Sequence, residues 1–292
     1  MPGWHIGVIG GSGLYEAGVL DDAQQIEVAS AFGEPSGPVT MGAIGSVRFT
    51  FLARHGAGHR LPPAAVNYRA NIDVLKRCGV SDVIAVSAVG SLREELVPGQ
   101  FVVPDQFVDR TEGRERSFFG AGVTAHVSLA DPVCPRLAAR ASAAAEAGGA
   151  VVHRGGSYIA IEGPQFSTRA ESALYRQWGA DVIGMTAMPE ARLAREAELP
   201  YAVLGMVTDY DSWRDGEAVD AAAILSVLRD NVDKARAALI ALAEALPEER
   251  DASPIDCALD QAIVTPRTHW DPHLARRLDA VAGRYLRALS DG

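Results

Sequence analysis

The sequence predicts a single α/β domain. Short apolar runs alternate with helical patterns, and each run empties into Gly, Ser, Thr, Arg, His or Asp. Runs such as Ala202–Val207 can fill strands buried on both faces, and in open α/β sheets ligands gather beyond the carboxyl ends of such strands. At 292 residues the chain is long for one domain, but α/β folds reach this size as one unit with a tail. Thirty-seven acidic against 27 basic residues give a net charge of −10, which works against non-specific binding to nucleic acid or an anionic membrane. Any anion site must be built locally. Cys78, Cys134 and Cys257 show no CxxC spacing, so neither a disulfide framework nor a zinc knuckle is expected, and a reducing cytoplasm is. No basic segment followed by an apolar core opens the chain, and no apolar run approaches about 18 residues, so neither a signal peptide nor a membrane span is expected.

In order, Ile6–Ile9 reads as a strand running into Gly10-Gly11-Ser12-Gly13, where glycines free backbone N–H groups for an anion and Ser12 adds a hydroxyl. A tight turn with no ligand is an equal reading, because neither a third glycine nor a P-loop lysine follows. Val47–Ala53 delivers Arg54 and His55, a fork of donors and a second donor suited to phosphate. Pro62-Pro63 opens a helix to Arg77. Asp82–Val89 is a buried strand ending in Ser87, Ala88 and Gly90, small residues that let a ligand approach the backbone. Phe101–Phe107 reads as one strand, followed by a charged loop and His126, a residue that is more often structural than ligating. A helix covers Asp131–Ala147, and Tyr158–Ile161 leads to Phe166 and Ser167, with Ser167 or Thr168 capping the next helix. Val182–Gly184 delivers Met185 and Thr186, and Pro189 opens another helix. Ala202–Val207 ends in Asp209 and Asp211, two acceptors that could read the donor edge of a flat heterocycle or cap the next turn. A long helix spans Ala218–Leu246, and a basic helix is expected near Ala275–Leu289.

The segments GVIGGSGLYE, FLARHG, VNYRANI, SAVGSLREEL, DQFVDRT, IEGPQFSTRAES, GADVIGMTAMPEA and VTDYDSW together resemble the methylthioadenosine phosphorylase branch of the trimeric purine nucleoside phosphorylases. The resemblance, which covers Ile6–Leu246, implies a mixed, partly barrel-like sheet flanked by helices over residues 1–246; residues 247–292 lie outside the common pattern and are expected as an extension with a helix, packed on the same domain. It implies phosphorolysis of 5′-methylthioadenosine to adenine and 5-methylthioribose 1-phosphate, with inorganic phosphate as co-substrate and no cofactor. Phosphate would be held by Ser12, Arg54, His55, Ser87, Ala88 and Thr186. The ribose would lie on Met185 and the purine on Phe166 and Ser167, with its edge at Asp209 and Asp211. His126 of a neighbouring subunit in a homotrimer would close over the 5′ substituent, together with Ala221, Ile224 and Leu225. Ser12 and Ser87 stand where many relatives carry Thr, and Ala221 replaces a larger residue in some, leaving a roomier 5′ pocket.

The chemistry fits the residue types by itself. Cleaving a purine N-glycosidic bond leaves negative charge on the base and positive charge on the sugar, so an acid at N7 and a nucleophile beneath C1′ suffice, and phosphate can be that nucleophile with no metal. Asp209 would be the acid, its pKa raised by Asp211 and the apolar strand. A 6-oxopurine nucleoside or methylthioinosine is the rival substrate, but its O6 would face carboxylate oxygens. A non-catalytic nucleoside-binding module is the other alternative.

Overall fold

The computed structural model describes residues 3–11, 14, 19–214 and 221–288; in the last stretch the side chains of residues 221–223, 225, 226 and 229 lie outside the description. Strand β1 (His5–Gly10) is followed by β2 (Asp21–Ile26), β3 (Val39–Ile44) and β4 (Val47–Ala53). Helix α1 (Tyr68–Arg77) starts later than Pro62-Pro63 suggests. Those prolines make a single 3-10 turn, Val66 returns to extended backbone, and the Asn67 side chain caps α1 by accepting from the Ala70 N–H. After β5 (Asp82–Ser91), the single strand expected over 101–107 is two, β6 (Phe101–Val103) and β7 (Gln106–Arg110). Pro104 has no N–H for a ladder and separates them.

Helix α2 (Pro135–Ala147) takes Pro135, not Asp131, as its first residue. Then come β8 (Val152–Arg154), β9 (Ser157–Ile161), α3 (Arg169–Gln177), β10 (Val182–Gly184), α4 (Ala187–Glu196), β11 (Tyr201–Asp209) and α5 (Ala221–Ala245). Thr168, not Ser167, caps α3, in a capping box with Glu171. The basic terminal helix is two short ones, α6 (Pro272–Arg277) and α7 (Gly283–Ala288), separated by a turn at Leu278–Ala282.

The sheet is mixed and forks at β5. One edge of β5 pairs parallel with β1 over Asp82–Ala85 and antiparallel with β10 at Gly90 and Ser91; the other pairs parallel with β11. Beyond these lie β4, β3 and β2 on one wing, β9 and β7 on a second, and β6 and β8 beside β11. Alternation along the central strands sorts the core into two faces. Ile84 and Val86 of β5 and Ala202, Leu204 and Met206 of β11 pack with α2 and α5, while Val83, Ala85, Tyr201 and Val203 pack with α1 and α4.

After Pro247, Ile255 packs on the first face, and the residues from Leu259 onward join the second. Leu259, Ala262, Leu278, Val281 and Ala282 are buried in the same cluster as Val80 and Phe118. Arg250 pairs with Asp82 and Asp256, and Arg284 with Glu198 and Asp260.

Candidate active site

The central strands β1, β5, β10 and β11, the segment after β4 and the helix α5 open onto one cavity of about 610 Å³. Gly11, Arg54, His55, Ser87, Ala88, Met185, Thr186, Phe166, Asp209, Asp211 and Ile224 all line it. Ser12 lies outside the described residues, as do the side chains of Ala221 and Leu225. Leu228 and Val232, one and two turns beyond Ile224, extend the apolar wall.

Two of the expected residues do not line it. Ser167 is buried, its carbonyl accepts from the Ser212 hydroxyl at 2.7 Å, and it serves the wall from behind. His126 is exposed on its own chain, and its backbone N–H donates to the Ala262 carbonyl at 2.8 Å. A shallower recess of about 460 Å³ lies behind Ser212, lined by Arg169, Arg176 and Trp213, and it contains none of the strand-end donors.

The carboxylates differ in their surroundings. Asp209 is half-buried, and both its oxygens are occupied. Its Oδ1 accepts from the Asp211 N–H at 2.8 Å and its Oδ2 from the Thr208 hydroxyl at 2.8 Å. Asp211 is buried, sits at φ 48°, and has an Oδ2 with no hydrogen-bond partner among the described residues. Burial raises its pKa, and the charge of Asp209 adds to this. Asp211 is thus a buried carboxyl held above the usual carboxylate range beside Asp209. The ladder shifts register between Val207 and Asp209, and Gly90 leaves room opposite: a Cβ there would sit 3.0 Å from Asp209 Oδ1.

Arg54 is less free than a surface fork. Its guanidinium is 2% exposed and spans Glu190 at 2.9 and 3.1 Å, the Val86 carbonyl at 3.2 Å and the Ile9 carbonyl at 3.2 Å. One of its five N–H groups, on Nη1, is left for a ligand. Burial opposes its charge, and Glu190 more than offsets that, so its pKa is raised. Arg54 therefore ties the end of β1, the middle of β5 and the first turn of α4 into one cradle. His55 Nδ1 meets the Leu61 carbonyl at 2.9 Å, and a carbonyl only accepts, so this nitrogen carries the proton. The ring stacks on His59 with centroids 4.2 Å apart. Burial, then the Arg54 charge, pushes its pKa down to about 4.

Arg114, from the charged loop after β7, is a further organiser. It donates to the carbonyls of Met185 at 2.7 Å, Met188 at 2.9 Å and Glu162 at 2.7 Å, and pairs with the Glu162 carboxylate at 3.0 Å. Arg114 and Glu190 leave no signal in the sequence, because their partners are distant in the chain. Among the described residues no group of three or more His, Cys, Asp or Glu could hold a metal ion, and no helix is long and apolar enough to cross a membrane.

Residues 5–246 match the model of the family described as the phosphorylase superfamily. The chain belongs to the phosphorylase superfamily. Within it, the chain is 54% identical over 285 residues to an S-methyl-5′-thioadenosine phosphorylase of Bradyrhizobium diazoefficiens, covering 97% of this chain and 98% of that one. It superposes with a TM-score of 0.91, at 45% identity, on a methylthioadenosine phosphorylase from an antarctic soil metagenomic library, over 94% of this chain and 98% of that one. A mutant adenosine/methylthioadenosine phosphorylase of Schistosoma mansoni, solved with methylthioadenosine, superposes with a TM-score of 0.77 at 37% identity, over 82% of this chain and 91% of that one. Superfamily membership fits the mixed sheet flanked by helices and the strand-end cavity.

Proposed function

We propose that this chain catalyses the phosphorolysis of 5′-methylthioadenosine, releasing adenine and 5-methylthioribose 1-phosphate for purine and methionine salvage. The observation that carries the reading is the joint lining of one cavity by anion donors and a carboxylate pair. The relatives named for this substrate, matched over nearly their whole length, support its choice within the superfamily. The Ser87 hydroxyl, the Ala88 backbone and the Thr186 hydroxyl would hold phosphate, with the spare Arg54 N–H and His55 beside them. Ser12 is proposed in the same role from its sequence position.

As the C1′–N9 bond breaks, its electron pair passes to the purine, which takes a proton at N7, and a phosphate oxygen forms the new bond to C1′. Asp209 serves as the acid, and Asp211, through its unpartnered oxygen, accepts from the 6-amino group. Met185 supports the ribose and Phe166 the purine, while Ile224 belongs to the apolar 5′ wall, with Ala221 and Leu225 proposed beside it. A 6-oxopurine would set O6 against Asp211, an acceptor against an acceptor. The chain would work as a cytoplasmic homotrimer, with His126 reaching a neighbour's 5′ site and no cofactor beyond the co-substrate.

The test is adenine release from methylthioadenosine with and without phosphate, beside light scattering. Release that stops without phosphate, from a species of trimer mass, is expected. Equal rates in phosphate-free buffer would show a hydrolase, and a fully active monomer would remove the shared site.

A further inference from the structure

The segment after Pro247 has no role in the chemistry described so far, yet besides its ion pairs with Asp82 and Glu198 it is fastened along one loop of the domain. Residues 262–271 run antiparallel beside residues 122–126. The Val264 N–H donates to the Thr124 carbonyl at 3.0 Å, the Thr124 N–H to Thr265 Oγ1 at 2.8 Å, the His126 N–H to the Ala262 carbonyl at 2.8 Å, and the Asp271 N–H to the Gly122 carbonyl at 3.2 Å. Ala125 and Ile263 form the bridge between the two segments. Gly122, at φ 102°, permits the contact, since a Cβ there would lie 2.5 Å from Asp271 Cβ. The strap is itself anchored. Trp270 Nε1 donates to the Thr265 carbonyl at 2.8 Å, and Val123, Ala262 and Leu278 share one buried cluster.

Residues 120–130 otherwise have little regular structure: besides a small bridge between Gly120 and Val123, the pairing with the tail is the only ladder across them among the described residues. A side chain that must meet a small apolar substituent needs a fixed backbone behind it, because a misplaced group forfeits both contact and orientation.

We propose that the C-terminal segment is a strap that fixes the backbone of His126, making Thr265 and Val264 positioning residues for recognition of the 5′ substituent. The inference rests on the proposed role of His126, and the experiment separates the two. Four full-length proteins are compared with wild type: His126→Ala; Thr265→Val, which removes the acceptor and keeps the shape; Thr265→Val with Val264→Pro, which also removes the donor to Thr124; and Thr265→Ser, which keeps the acceptor. The readouts are the ratio of kcat/KM for methylthioadenosine to that for 5′-deoxyadenosine, amide hydrogen exchange at residues 122–126, and the melting temperature.

His126→Ala should lower the ratio. Thr265→Val should lower it about two- to tenfold, the range for one lost hydrogen bond, with the double variant going further. The drop should come chiefly through KM for methylthioadenosine, with faster exchange at 122–126, while Thr265→Ser stays at the wild-type ratio. If His126→Ala lowers the ratio but the strap variants exchange faster at 122–126 and keep it, the strap is a stability device and the proposal fails while His126 stands. If His126→Ala leaves the ratio unchanged, the role of His126 and the strap proposal fall together. Should the double variant melt before assay, the near-isosteric Thr265→Val decides by the same criteria.

Discussion

At the residue scale, the two carboxylates separate by how each is satisfied. Asp209 accepts two hydrogen bonds from the protein, and buried Asp211 leaves one oxygen free. Asp209→Asn is therefore a clean substitution. The Asp211 N–H keeps an oxygen to donate to, and the Thr208 hydroxyl can turn toward the Val89 carbonyl, 3.3 Å away, and accept from the new amide. The variant should fold as wild type and lose on the order of 10²–10⁴ in rate on methylthioadenosine, the usual contribution of a positioned acid. Methylthioinosine should lose much less, because an amide can donate to O6. An unchanged ratio of kcat/KM for the two nucleosides would make Asp209 a turn cap. Both aspartates were legible in the sequence because an apolar strand delivers them. Arg54 was only half legible. Its place at a strand end is local, but its carboxylate partner Glu190 stands on α4, and no local pattern links them. The same holds for Arg114 and the carbonyls it gathers.

At the element scale, periodicity found the buried strands and missed the others. Val47–Ala53 and Val182–Gly184 read correctly from sequence because burial makes their residues apolar. Strand β2, DDAQQI, is exposed throughout and among the described residues pairs only with β3, so nothing in its composition marks it as a strand. Packing, too, was invisible from sequence. Gly184 of β10 lies against the buried ring of Tyr158 of β9, and a Cβ there would sit 2.0 Å from Tyr158 Oη. Gly184→Ala must therefore push β10 away from β9 and carry Met185 and Thr186 with it. A loss of about 1–3 kcal/mol is expected, as for overpacking a core, together with weaker phosphate saturation. Adding Tyr158→Phe, which removes the clashing oxygen, should restore part of both. A Gly184→Ala protein with wild-type melting and wild-type phosphate KM would show that β10 yields without moving the site.

At the scale of the whole molecule, buried ionisable groups set the response to pH. Burial and the charge of Arg48 push His5 down to about 4, and burial and Arg54 do the same to His55. From an ordinary value of 6.5, the unfolded chain therefore binds two more protons than the folded one across the interval down to about 4, and stability rises with pH there. Glu196, raised by burial from 4.5 to about 7, acts in the opposite sense, with the folded chain holding the extra proton. Asp211, also raised by burial, acts in the same sense as Glu196, so the test is the share of one group: with His55→Gln the melting temperature should climb less, or fall more, between about pH 5 and 6.5 than in wild type. Parallel profiles for the two proteins would contradict the lowered pKa of His55. The fork at β5 also governs the order in which the chain can fold. None of the neighbours of β5 is near it in sequence: Ile6 meets Asp82, Ser91 meets Val182, and Val83 meets Tyr201. Closing such long loops costs chain entropy before burial repays it, and topologies built on distant pairings fold slowly. During synthesis, β5 can pair with β1 soon after it emerges, but its other edge stays open until residue 209 has been made, an unpaired apolar strand of the kind that invites association between chains. The strand that brings Ser87 and Ala88 to the cavity is thus also where a nascent chain is most exposed to aggregation.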